Sequence, residues 1–522
     1  MIAAIIITFC IFLAISFIVS RKAKSTDDYF VASRRAPTML IAGSLVASFL
    51  STGAYTGDLG EAFSGGFGPI FIIDAILVLG YILGSLFFGR YLRRSKCKTI
   101  TEFFASRFNS KAIKIVADII TIICVFVYLL SCAQGVVTVL IATTGLSRTW
   151  CSIICVAFFA LITIIGGASG VLVTDTVMFA FFTIITIISV IFIANINGGW
   201  FESLSLFKEQ NNPDFISIFG SNDYLYGNKS LNLIWAIISG FSWLGVVFCG
   251  PWQASRYTMA KNEHTAIRSS IIAIPFVLVI CFLTLMAGVF IKQIPGSSGL
   301  EPSSAIIWTA LNKLPAVLGA LLIVGILLAG MSSATTFFQL LGSTFSLDII
   351  RSKKHAKLVS ILFILLCALL ICLLCIFNPP SIFWLMQFGS VIIACSFLPQ
   401  AISSVWSKNV SKQGFLGGMI TGFLVSFSIK LYSSITGKLM PIYADPFLWG
   451  VLSNVLVMII LSIVFKRDEQ SVLNREKLFI VPEEEKNPKD VKTTKKFIFA
   501  SIGISAVLVV FLICFWAVPI II

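Results

Sequence analysis

Gly43-Ser-Leu-Val-Ala47-Ser-Phe-Leu-Ser51-Thr-Gly53-Ala-Tyr-Thr-Gly57 lies inside a long apolar segment, where a membrane helix should be most regular. Three glycines and five Ser/Thr hydroxyls interrupt it instead. A second such stretch runs Ser239-Gly-Phe-Ser-Trp243-Leu-Gly245 and then reaches Gly250-Pro251. Each opens a run of five apolar segments, residues 38–196 and 231–405. Broken helices at matching places in two halves are the mark of an inverted-repeat transporter. Unwinding frees backbone carbonyls, which replace water around an ion or solute. Such bare backbone is tolerated at membrane depth only where it lines a cavity. Ordinary small-residue helix packing is the competing reading of either stretch alone.

The rest of the chain agrees with a membrane setting. Of 522 residues 58% are hydrophobic and 12% charged, against about 45–50% and 25% in soluble chains. Fourteen apolar segments follow in order: 2–20, 38–62, 66–92, 112–144, 149–167, 170–196, 231–254, 265–291, 315–347, 355–377, 380–405, 411–434, 446–466 and 496–519. The expected architecture is therefore an all-α polytopic membrane protein. It comprises an extra span and inner loop (1–37), the two five-helix repeats, an outer loop (197–230), two peripheral helices (406–466), a charged cytoplasmic linker (467–495) and a last helix (496–522). The linker reads as solvated. The first segment reads as a true span, because Arg21, Lys22 and Lys24 follow it rather than precede it.

Charge orients the chain. With the N-terminus outside, 31 Lys/Arg fall on the cytoplasmic side and 6 on the other, as the positive-inside rule requires. The net charge of +15 is thus spread over inner loops. It forms no basic face on a soluble domain, so nucleic acid is not an expected partner. The cysteines fall almost entirely in apolar segments; Cys372 and Cys375 read as core residues. The two histidines, His264 and His355, lie in basic loops. A membrane enzyme lacks a cluster of His, Cys or carboxylates to work with, and no cofactor is expected.

The chemistry concentrates in Ala329-Gly-Met-Ser332-Ser333-Ala-Thr335-Thr336. Ala329, Ser332, Ser333 and Thr336 share one helical face, with Thr335 at its border. Hydroxyls gathered in an apolar helix offer oxygens to a hard cation, or bond back to their own helix. Asp175 lies about two turns inside a span with no basic residue beside it in that span. A bound cation would balance it; a protonated or wetted carboxyl is the alternative. Asp74 sits about 12 Å into its span at 1.5 Å per residue, and Gln387 is polar in an apolar segment. Both are candidate solute contacts. Asp58 and Glu61 read as solvated or as entrance residues.

Read together with Thr26-Asp-Asp-Tyr29-Phe, Thr99-Ile-Thr-Glu102-Phe, Gly166-Gly167, Thr174-Asp175, Gly198-Gly199-Trp200, Gln253-Ala-Ser-Arg256-Tyr, Ala260-Lys261 and Leu347-Asp348, these pieces resemble the sodium/solute symporter family over nearly the whole chain. The resemblance implies a LeuT-type fold with a five-plus-five inverted core and fourteen spans, and sodium as coupling ion. It implies a first sodium site from backbone oxygens of Ala47, Leu50 and Ala329 and the hydroxyls of Ser332 and Ser333. It implies a second from Ser332, Thr335, Thr336 and Asp175. Asp74 and Gln387 fall on sugar-binding positions, whereas Phe49, Gly53 and Trp243 replace other polar sugar ligands. The solute, amino-acid-like or sugar-like, stays open. The expectation is a monomeric sodium-driven importer in the plasma membrane. The rivals are a transporter-like sensor, which would append a soluble signalling domain, and an ion channel, which would repeat a pore-lining element about an axis.

Overall fold

The computed structural model describes residues 2–21, 26–210, 212–351, 354–377 and 381–518. Three basic residues in the charge count, Lys22, Lys24 and Lys353, lie outside them. Among the described residues, twelve helices are long and apolar enough to cross a membrane. The outermost turn large apolar side chains outward. In Ala356–Ile376, Leu358, Leu362, Leu365 and Leu369 are exposed at i, i+4, i+7 and i+11. In lipid, that exposure carries no cost.

Both expected interruptions are present. Thr38–Phe49 stops where Leu50 turns extended (φ −74°, ψ 99°), and helix resumes beyond Ser51. Lys229–Cys249 stops at Gly250 (φ −56°, ψ 140°), and Pro251 starts the next helix, Pro251–Met259. Proline suits a first helical position because its missing N–H would lack a partner there. The expected segments 149–167 and 170–196 form one continuous stretch, Arg148–Ile196, bent at Gly167. Gly167 has φ +54°, and a Cβ there would come within 2.6 Å of the Tyr29 ring, so only glycine fits. Thr38–Phe49 packs on Arg148–Ile196, Glu263–Lys292 and Ala316–Ser343. The start of each half meets the other: Lys261 N donates to Ala36 O (3.0 Å) and Ala36 N to Met259 O (3.3 Å).

The charged linker corrects the expectation of a solvated tether. It folds as Glu469–Lys477 and a turn at Glu483–Glu485, docked on the basic-loop side. Arg475 Nε donates to Val405 O (2.7 Å), and Arg107 donates to the carbonyls of Ser471 and Ser404. His264, far from being a loose loop residue, is buried between Thr494 Oγ1 (3.0 Å) and Glu485 O (2.9 Å). These groups answer one another's backbone polarity, which a low-dielectric interface requires. Glu485 is buried here. Burial and the neighbouring Glu263 carboxylate push its carboxyl up to about 7, against the opposing pull of Arg93. The docked state therefore keeps a proton that the released state gives up at lower pH. Docking is fully supported in acid and weakens as pH rises through about 7. Tryptic cleavage at exposed Lys486 tests this. Relative to Glu485→Gln, wild-type cleavage should speed up about tenfold from pH 6 to pH 8; a constant ratio contradicts it.

Candidate functional site

The break at Leu50 exposes the last carbonyls of Thr38–Phe49 to the hydroxyl-bearing face of Ala316–Ser343. Ser333 Oγ lies 3.4 Å from Ala47 O and 3.5 Å from Ser48 O. Ala329 is buried on the same helix, one turn before Ser333. The break thus brings Ala47 and Ser333 together. Leu50 supplies the extended residue that ends the helix. Of the five residues expected at the first sodium site, Ala47, Leu50 and Ser333 meet at this junction, and Ala329 lies one turn from Ser333 on the facing helix. Ser332, the fifth, turns a different way.

Ser332 Oγ donates to Asp175 Oδ1 (2.9 Å). Asp175 Oδ2 also accepts from Ser44 Oγ (2.6 Å) and from an Arg256 Nη (2.8 Å). That same Arg256 nitrogen donates to Thr336 Oγ1 (2.6 Å), and Arg256 Nε to Ser44 Oγ (2.8 Å). Both charges are fully buried, at 0% and 2% side-chain exposure. The partner that Asp175 lacks within its own span therefore comes from Pro251–Met259. Neither expectation for Asp175, a bound cation or a protonated or wetted carboxyl, named this arginine. The Thr335 hydroxyl donates back to Ser332 O (3.0 Å), the back-bonding expected as the alternative to ion ligation. Sequence reading placed Arg256 among inner-loop charges and passed over Ser44. The available signal was position, since Arg256 falls one and a half turns after the Gly250-Pro251 break.

The solute candidates gather around one small cavity, lined by Phe49, Asp58, Asp74, Trp243, Met386 and Gln387 among others. Phe49 and Trp243 meet edge to face with centroids 6.0 Å apart. Trp243 Nε1 donates to Gln387 Oε1 (3.1 Å). Gly53 backs the cavity: a Cβ there would fall 2.2 Å from Met386 Sδ. Asp58 is corrected from an entrance residue to a wall of this cavity. Glu61 is not free in solvent but accepts from Tyr224 Oη (2.9 Å). A second cavity lies toward the basic loops, with Lys98, Arg256, Thr336, Gln339 and Ser343 in its wall.

Interrupted helices, buried carbonyl and hydroxyl oxygens at the break, and a small cavity beside them define a secondary transporter. The sodium:solute symporter family pattern matches residues 29–422, and the chain belongs to that family. It is a sodium-coupled symporter of a small solute. The sodium/proline symporter of Escherichia coli is 25% identical over 80% of this chain and 86% of its own length. The sodium/glucose cotransporter of Vibrio parahaemolyticus is 24% identical over 94% and 93%. The sodium/pantothenate symporter of Haemophilus influenzae is 25% identical over 82% and 90%. A substrate-bound, outward-open Na+-coupled sialic acid symporter shares the fold (TM-score 0.74, 17% identity, 90% of this chain and 98% of that one). MhsT in complex with L-phenylalanine does so more loosely (TM-score 0.51, 13% identity, 84% and 99%).

Proposed function

We propose that sodium binds where Leu50 breaks the first helix, between the carbonyls of Ala47 and Leu50 and the helix bearing Ala329 and Ser333. The observation that carries this is Ser333 Oγ donating to Ala47 O at 3.4 Å, which brings a hydroxyl and a carbonyl oxygen together at an uncoiled turn. A hard cation is the natural occupant of such a group of neutral oxygens. The solute occupies the cavity walled by Phe49, Asp74, Trp243 and Gln387, with Gly53 leaving room behind it. Sodium then ties the first helix to Ala316–Ser343. It shifts the equilibrium toward the outward-open state only through its greater affinity for that state.

One sodium per cycle is the stoichiometry we infer. Arg256 already balances Asp175 and already holds Thr336, two of the four residues of a second ion site. At a membrane potential of about 100 mV, each sodium entering contributes roughly 2.3 kcal/mol to uptake. The chain crosses the plasma membrane fourteen times with its N-terminus outside, as a working monomer with a five-plus-five core. Bends at Gly65 and Gly167 divide the two longest helical stretches, and Thr38–Phe49 adds the inner half of a broken span. In proteoliposomes, uptake should follow an imposed sodium gradient and reverse with it. Uptake indifferent to sodium would contradict the assignment.

A further inference from the structure

We infer that the transported solute carries a protonated amine, held between Asp74 and Asp58. The inference rests on the solute cavity assigned above and deepens it.

Asp74, in Phe67–Leu77, is 4% exposed and faces the cavity. Its Oδ2 is buried and has no hydrogen-bond partner among the described residues. Asp58, from the neighbouring stretch, lines the same cavity. The cavity wall contains no Lys, Arg or His among the described residues. Two carboxylates in one water-poor space repel each other, and a cation between them relieves that repulsion. The Asp175 carboxylate has its cation in Arg256; here the protein supplies nothing.

The walls distinguish an organic cation from a bare ion. Phe49, Ile70 and Trp243 present apolar and aromatic surface to the cavity, which a bare alkali metal would leave unused. Aromatic faces attract ammonium groups and accept their carbon substituents. Gln387 fixes the other end. The indole of Trp243 can only donate, so the amide oxygen must face it, leaving Nε2 turned away. That Nε2 is buried and unpartnered among the described residues. It is a donor waiting for an oxygen. The complement is a molecule with an ammonium at one end and a carboxylate or hydroxyl oxygen at the other. Amino acids and amino alcohols both meet that description. A sugar lacks the cation, and a simple carboxylic acid would meet two like charges.

The test uses the full chain in proteoliposomes with an inward sodium gradient. Radiolabelled L-proline, L-alanine and ethanolamine form one arm; D-glucose and pantothenate form the other. At least one amine should accumulate about tenfold over the sodium-free control, with the first two against the third separating amino acid from amino alcohol. Asp74→Asn should raise its half-saturating concentration about tenfold, through loss of a buried charge partner. Asp58→Asn, on a different helical stretch, gives a second readout should Asp74→Asn fail to fold, and should raise it about threefold. Sodium-driven uptake of glucose or pantothenate alone, no uptake of any amine, or unchanged half-saturation in both variants overturns the inference. Glucose uptake would leave sodium coupling standing. Amine uptake without sodium would instead sink the coupling and spare the amine.

Discussion

Arg256→Gln should collapse the yield of folded transporter. The substitution strands Asp175, which is 0% exposed, with only the hydroxyls of Ser44 and Ser332 as donors. Breaking a buried pair by removing one partner costs about 3–5 kcal/mol, because the remaining charge stays buried. That is a large share of a typical domain's stability. The pair also joins four elements: Arg148–Ile196 through Asp175 itself, Pro251–Met259 through Arg256 itself, Thr38–Phe49 through Ser44, and Ala316–Ser343 through Ser332 and Thr336. Its loss should therefore loosen the core where the halves meet. Asp175→Asn/Arg256→Gln removes both charges and should recover much of the thermal stability in detergent. Arg256→Gln with wild-type stability, restored or improved by sodium, would mean that a metal ion and not Arg256 balances Asp175. Two sodium ions per cycle would then return.

Ser333→Ala should raise the sodium concentration for half-maximal uptake about tenfold, the equivalent of about 1.4 kcal/mol for one lost oxygen ligand. The maximal rate at saturating sodium should fall much less. Ser332→Ala separates the neighbouring hydroxyl from this role. Its Oγ points to Asp175, so the change should appear chiefly as lower thermal stability, with the charge-assisted bond lost. Uptake with unaltered sodium dependence in Ser332→Ala/Ser333→Ala would remove the junction at Leu50 as the ion site.

Both helix breaks were legible because glycine, serine and proline interrupt apolar runs that have no other use for them. The shared face of Ser332, Ser333 and Thr336 followed from helical spacing alone. What that spacing could not supply was a direction for each hydroxyl: Ser333 to Ala47, Ser332 to Asp175, Thr336 to Arg256, and Thr335 back to its own helix. Those partners lie on other segments. Arg256 and Asp175 are 81 residues apart, and Trp243 and Gln387 are 144 apart. A one-dimensional charge count assigned Arg256 to a loop, since it stands near a helix end. The docked linker was hidden for the same reason. Its composition is that of a solvated tether, and contacts to distant segments hold it down, among them Arg268 with Asp490 (2.6 Å) and Arg475 with Val405 O.

Direct binding of radioactive sodium to the purified full chain, without solute, tests the central claim most closely. The account predicts one saturable ion per chain, weakened about tenfold by Ser333→Ala and unaffected by Thr335→Ala, whose hydroxyl already bonds to Ser332 O. Unchanged affinity in Ser333→Ala, or two ions per chain with one lost in Thr335→Ala, would contradict it.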